Sequence, residues 1–214
     1  MNLKVERYLD QSDRWPKEGR HILAQFDTDS IVVYQAYRPE IGRFAVENGR
    51  LGGPHFSCGR MSWIKPNFLW MMYRCGWATK EGQEVVLAVR LRRKGFEAIL
   101  RRAVPSTFAP GGGNDHAAWR KQVEQSDVRL QWDPDHDPHG GNVARRAIQL
   151  GLRGEALKAY CEEWTISIED ITCFVHEQRD ALSQLRLDAL ITPKEERYPV
   201  EDPSIREQLG MEPL

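Results

Sequence analysis

The sequence predicts an α+β fold, a sheet core with packed helices, and three observations predict it. Glu84–Arg92 and Val128–Asp133 alternate apolar and polar residues with period two, the mark of a strand with one face buried. Phe68, Leu69, Met71, Met72 and Cys75 fill most of the circumference of a helix, the mark of a central, buried one. Strands and helices do not alternate regularly along the chain, which argues against a doubly wound parallel sheet.

His21–Phe26 and Ile31–Tyr37 read as strands joined by the turn-forming Asp27-Thr28-Asp29-Ser30. A helix follows: Pro39 suits its first turn, Ile41, Phe44 and Ala45 make its apolar stripe, and Gly49 suits its end. Gly52-Gly53-Pro54 breaks the chain before the short segment His55-Phe56-Ser57. Lys65-Pro66 opens the buried helix and Gly76 closes it. In the strand Glu84–Arg92, Val85, Leu87, Val89 and Leu91 face one way, and a short helix carrying Phe96, Ile99 and Leu100 comes next. Pro110–Asp115 reads as a flexible loop, without the Gly-Lys-Ser/Thr of a nucleotide-hydrolase phosphate loop. In Val128–Asp133, Val128, Leu130 and Trp132 share one face and Arg129, Gln131 and Asp133 the other. Two or three helices are expected between about Val143 and Arg186, because Ile168, Ile171, Phe174, Val175 and Leu182 keep helical spacing. Residues 1–191 form one domain on this reading, and 192–214, rich in Pro and Glu, form an irregular acidic tail.

At 214 residues, 41% of them hydrophobic, the chain can bury a sizeable core. No apolar run approaches the ~20 residues that span a bilayer, so no membrane partner is expected. Met1–Arg14 lacks the apolar stretch of a secretory signal. Cys58, Cys75, Cys161 and Cys173 include no Cys-x-x-Cys pair, which fits reduced thiols in the cytoplasm. The net charge of −1 hides an asymmetry: Ile31–Arg102 holds 13 Lys and Arg against 5 Asp and Glu, and the rest holds 17 against 26. Such a field can focus an anionic ligand, although these arginines would equally serve as a solvated face paired with the acidic half. A pI near 6.6 disfavours bulk coating of DNA.

Three segments carry the chemistry. Tyr34-Gln35-Ala36-Tyr37-Arg38 stands where a strand meets a helix N-terminus, a place that attracts phosphate. Gly53–Lys65 combines close-approach glycines, the hydroxyls of Ser57 and Ser62, His55, the cations Arg60 and Lys65, and Trp63 as an aromatic plate. That inventory suits a phosphate together with a stacked base or nicotinamide ring. Ser57 lacks the Gly-x-Ser-x-Gly setting of a nucleophile, and Cys58 lacks an identifiable base. Arg129–Gly140 brings Gln131, Asp133, Asp135, His136, Asp137 and His139 to a strand end. A calcium loop there would want Gly and Glu where Pro138 and Ala144 stand, so no metal is predicted. The segment is otherwise a turn capping a following helix, or a place for substrate-positioning side chains at Gln131 and Asp133.

Two resemblances attach to these residues. Ile31–Tyr37, the block Arg60-Met61-Ser62-Trp63-Ile64-Lys65-Pro66-Asn67-Phe68-Leu69-Trp70-Met71-Met72-Tyr73-Arg74, and Gln131–His136 resemble a bacterial and fungal family described only as a domain of unknown function. The likeness runs from about His21 to Arg179 and implies no activity. More distantly, the order of aromatic–polar strand, helix, His55-Phe56-Ser57 segment, helix and strand looks like the ADP-ribosyltransferase superfamily. That likeness implies NAD as a substrate. The ribose contact would fall on Gln35 or Arg38, the second site on His55-Phe56-Ser57, and the third, usually Glu, on Gln131 or Asp133. Arg38, Arg60 and Lys65 would hold phosphates, and Tyr34 or Trp63 would stack on a ring. Two alternatives stand beside it. One is an RNA-end enzyme similar to the 2′-phosphotransferases, using Arg38, His55, Arg60 and Arg129. The other is an inactive nucleotide- or RNA-binding module. Every version expects these cations and the Gln131–Asp133 strand end to line one concavity.

Overall fold

The strands expected at the centre of the chain form two sheets that pack face to face. In the computed structural model, which describes residues 3–108 and 115–212, β1 (Val5–Arg7) leads into helix α1 (Tyr8–Ser12). The short strands β2 (Gly19–Arg20) and β3 (Leu23–Ala24) precede β4 (Ser30–Tyr37) and helix α2 (Pro39–Asn48). Then come β5 (Ser62–Ile64), α3 (Phe68–Cys75), β6 (Val85–Arg92), α4 (Arg93–Arg102) and β7 (Ala103–Pro105). Helix α5 (His116–Gln125) is followed by a long hairpin, β8 (Val128–His136) and β9 (Asn142–Leu152). Helix α6 (Gly154–Ala159) runs into a π-helical turn, Tyr160–Trp164, before β10 (Thr165–Asp170) and α7 (Thr172–Ser183). Strands β11 (Ile191–Pro193) and β12 (Glu196–Arg197) and helix α8 (Pro203–Leu209) complete the chain.

Strand β6 pairs antiparallel with β4 and β10 to make a three-stranded sheet. Strand β9 is the axis of the other sheet: β8 pairs along one edge, β5 and β2 along the other, and β7 extends it beyond β8. Ile31, Val33, Leu87, Val89 and Leu91 of the first sheet share one core with Ile64, Val128, Leu130, Ile148, Leu150 and Leu152 of the second. The opposite face of the three-stranded sheet is also covered: Val32, Tyr34, Val86 and Ala88 pack with Phe68, Leu69, Met71 and Met72 of α3 and Val175 of α7. Hence β6 is buried on both sides along its middle, and its polar side is confined to Arg90 and Arg92. The mixed α+β class and the helices at Pro39, Phe68 and Phe96 are as the sequence predicts. Gly49 and Gly76 end α2 and α3 in the left-handed region at φ 63° and 57°, where a Cβ is strained.

Four expectations are corrected. The segment from Val143 to Arg186 is not all helix, because it contains β9 and β10. Of the residues whose spacing suggested helix, Phe174, Val175 and Leu182 lie on α7 and Ile171 caps it, whereas Ile168 belongs to β10; on β9, Ile148, Leu150 and Leu152 alternate on the core face. Accordingly, the turn after His136 closes a hairpin rather than capping a helix. Asp137 Oδ1 accepts from the backbone N–H groups of His139 and Gly141, both at 2.9 Å. The tail from Thr192 is not irregular. Its β11 pairs with β1, β12 pairs with β3, and Tyr198, Val200, Ile205 and Leu209 enter the main core. Finally, the strand expected over His21–Phe26 shrinks to β3 and a bridge between Phe26 and Ile31. The expected loop at Pro110–Asn114 lies outside the described residues; Asp115 caps α5 by accepting from the Ala117 N–H.

Candidate functional site

The outer face of the β8–β9 sheet carries the polar residues of its alternation: Gln131 and Asp133 on β8, and Gln149 directly opposite Gln131 on β9. Trp63 of β5 lies across Gly151 of β9. A Cβ at Gly151 would stand 2.5 Å from the Met61 sulfur and 3.0 Å from the Trp63 ring, so glycine lets the indole lie close to the sheet. Beyond Trp63 the chain passes Lys65 and enters α3, where Asn67 accepts from the Trp70 N–H and Glu195 from the Phe68 N–H. This path lays Trp70 and Arg74, one helical turn apart, over the sheet face.

Two adjacent hollows result, and both include Trp63. The first, about 500 Å³, is lined by Tyr37, Arg38, His55, Phe56, Ser57 and Arg60, with Met61 and Ser62 below. The second, about 400 Å³, is lined by Trp63, Lys65, Trp70, Arg74, Gln131, Asp133 and Gln149. The predicted cations and the Gln131–Asp133 strand end therefore occupy neighbouring hollows joined at one indole, not one undivided concavity.

In the second hollow, Gln149 Nε2 donates to Asp133 Oδ2 at 2.7 Å and to Gln131 Oε1 at 3.3 Å. Partial burial raises the Asp133 carboxyl above its ordinary value, opposed by the Gln149 bond and by the charges of Arg74, Lys65 and Arg146. Lys65 is 5% exposed. Burial and the nearby Arg74 charge push its ammonium down to about 8, while Asp133 and Cys75 pull the other way. No hydrogen bond or ion pair joins the Lys65 ammonium to another described residue.

A buried cation without a partner opposes folding, and its sign with pH is definite. The folded value lies below the unfolded 10.5, so the penalty is complete below pH 8 and fades as pH rises toward 10.5. Lys65→Met keeps the stem and removes the charge. It should stabilise the protein at pH 7 by about 3 kcal/mol, with the gain shrinking toward pH 10. Urea unfolding at both pH values measures this, and an equal loss of stability at both would refute it.

Two predicted ligand contacts belong to the interior instead. Tyr34 is fully buried, its ring edge-on to Phe68 with centroids 5.5 Å apart. Gln35, 2% exposed, donates to Tyr37 Oη at 2.8 Å, Ser62 Oγ at 2.9 Å and the Trp63 carbonyl at 3.2 Å, and accepts from Tyr160 Oη at 2.6 Å. Both side chains point toward the core rather than into either hollow, so Gln35 acts on the site only by fixing β5. Arg129 also lies apart, donating to the Ser126 carbonyl at 3.1 Å.

The three aspartates of the strand end diverge. Asp133 enters the second hollow, Asp135 pairs with Arg145 at 2.7 Å in the interior, and Asp137 holds the hairpin turn. Among the described residues no group of three or more His, Cys, Asp or Glu could hold a metal ion. His136 stacks on Tyr73, with ring centroids 3.5 Å apart, and on Trp70 at 5.2 Å, which braces the wall of the second hollow. Sequence reasoning missed Arg74, Trp70 and Gln149 as site residues. The four-residue spacing of Trp70 and Arg74 on one helix was the available signal for two of them; Gln149 has none until 142–152 is read as a strand.

Fold and site thus define an α+β protein with two cation-bearing hollows that meet at Trp63, the second of them on the outer face of its larger sheet. The chain belongs to the family described as domain of unknown function DUF4291, whose pattern matches residues 21–198. A comparison with curated proteins finds no match. Among the described residues no helix is long and apolar enough to cross a membrane.

Proposed function

We propose that this chain binds NAD or a related phosphorylated nucleotide across the two hollows and acts on it as an ADP-ribosyltransferase-like enzyme. The observation that carries the reading is Trp63, an indole shared by a hollow bearing Arg38 and Arg60 and a hollow bearing Asp133. Arg38, Arg60 and His55 with the Ser57 hydroxyl offer donors to a pyrophosphate, and Trp63 offers a face for a ring. The bond from nicotinamide to ribose breaks with its electron pair leaving on nicotinamide, so positive charge develops on the sugar. Asp133, oriented by Gln149, is the carboxylate suited to stabilise that charge, and Gln131 is placed to bond a ribose hydroxyl. An acceptor nucleophile, on a nucleic acid or a protein, then closes on the same carbon.

Thermal unfolding with NAD, ADP-ribose and 2′-phosphorylated RNA, paired with nicotinamide release, tests this. NAD at one hundred times its Kd should add about 2.7 kcal/mol of stability. Arg60→Ala should weaken NAD binding by about tenfold, the loss of one charge-assisted hydrogen bond. Asp133→Asn should hold affinity and slow nicotinamide release by about a hundredfold. Stabilisation by the RNA alone, falling steeply with salt, would replace this reading with an RNA-end or RNA-binding role. No response to any of the three ligands would overturn it.

A further inference from the structure

Lys65 has a setting that phosphate binding alone does not explain. Its backbone is fixed from both sides: its N–H donates to the Tyr34 carbonyl at 3.2 Å and its carbonyl accepts from the Tyr34 N–H at 2.7 Å. The stem therefore enters the second hollow from a rigid base: the residue as a whole is 5% exposed, and no hydrogen bond or ion pair ties its amine to another described residue. The groups acting on it are Arg74 and Cys75 from α3 and Asp133 from β8; Arg146 of β9 acts on Asp133 in turn. A like charge and a dry setting favour the neutral amine, which is the nucleophilic form. Beside it the Asp133 carboxylate, raised above its ordinary value by burial, can take and return a proton.

We propose that Lys65 is a nucleophile that forms an imine with the aldehyde carbon of an open-chain phosphorylated pentose, either free or as the sugar end of ADP-ribose. The Nζ lone pair attacks the carbonyl carbon while the C=O π pair moves onto oxygen, and Asp133 carries one nitrogen proton to that oxygen, making a hydroxyl. Asp133 then takes the second proton from nitrogen and delivers it to the hydroxyl. The C–O bond then breaks, water leaves and the C=N bond forms. Atoms balance as amine plus aldehyde giving imine plus water, and no oxidant or cofactor enters. Arg74 is the cation at hand for the phosphate of a free pentose. The inference deepens the nucleotide reading and rests on it only for the class of sugar.

The test is reduction with sodium cyanoborohydride in the presence of ribose 5-phosphate, ADP-ribose or NAD, followed by peptide mass spectrometry of the whole chain. At pH 7.5 a reduced adduct should form on Lys65 at least about tenfold faster than on the exposed Lys80, Lys94 and Lys121, because its amine stands beside Asp133 in the hollow and burial favours its neutral, nucleophilic form. The two sugars separate the free from the nucleotide-linked source. Lys65→Arg should lose the adduct while melting as a folded protein, and Asp133→Asn should slow adduct formation with ribose 5-phosphate. Adducts spread evenly over exposed lysines, or unchanged in Lys65→Arg, would overturn the proposal. A thermal shift with NAD and no Lys65 adduct from either sugar would overturn it and leave nucleotide binding standing. An adduct without that shift would uphold the amine chemistry and remove the NAD reading.

Discussion

A chain cut after Leu190 should fail to fold. The removed residues include Tyr198, Val200, Ile205 and Leu209, each no more than 4% exposed and all in the main core. At about 1.5–3 kcal/mol for each large apolar side chain buried, their loss is of the same order as the whole stability of a domain, about 5–15 kcal/mol. The cut also strips β1 and β3 of their partners and removes Glu195, which accepts from the Phe68 N–H at 2.7 Å and from Asn67 at 3.0 Å where α3 begins. A milder cut after Val200 takes only α8. It takes Ile205 and Leu209 out of the core and leaves the Trp132 indole without the Leu209 carbonyl, 2.8 Å away in the full chain. That variant should fold with a loss of about 3–6 kcal/mol. Circular dichroism and thermal melting distinguish the two, and a native melt after the longer cut would show that the tail does not hold the core.

Arg145→Met should cost about 3–5 kcal/mol at pH 7, because it strands Asp135 as a buried charge. Asp135 is 1% exposed and meets Arg145 at 2.7 Å; Arg145 also donates to the Pro16 carbonyl and lies over the Trp15 ring. Burial raises Asp135 despite Arg145, and burial raises Glu195 well above the ordinary range, with Asp135 adding to the effect. For raised carboxylates the favourable contribution is complete below the unfolded values and is lost as pH climbs through the folded ones. Without Arg145 the Asp135 value rises further, so the deficit of the variant should shrink as pH falls from 7 toward 5. The double variant Arg145→Met with Asp135→Leu should recover most of the loss, since two apolar side chains leave no charge behind. Denaturant unfolding of the single and double variants across that pH range is the measurement. A deficit unaffected by pH would assign it to packing against Trp15 instead.

Legibility in the sequence followed how local the determining physics was. Strand β8 and helices α2 and α3 announce themselves through alternation, Pro39 and the closing glycines, all short-range signals. Strand β9 does not. It is paired along both edges, and its apolar residues, read alone, fit a helix as well as a strand. The tail misleads by composition: few of its residues are apolar, yet those few are the ones the core takes in. Within the site, Trp63, Lys65, Gln131 and Asp133 were identifiable from residue type and position, as were Arg38, His55, Ser57 and Arg60. Gln35 misled because a polar side chain on a strand between two tyrosines reads equally as a ligand contact or as a buried hydrogen-bonding centre. The register with Ser62 and Tyr160 that decides between them is tertiary.

The reciprocal bonds between Tyr34 and Lys65 tie β4 of one sheet to the chain just beyond β5 of the other. No hinge separates that seam from the interior: Tyr34 is wholly enclosed, and Ile64, the residue before Lys65, is in the core. Breathing of the hollow floor therefore requires the sheets themselves to part. Any entry to the hollow is by way of the side chains at its rim, and the backbone under the amine keeps one posture.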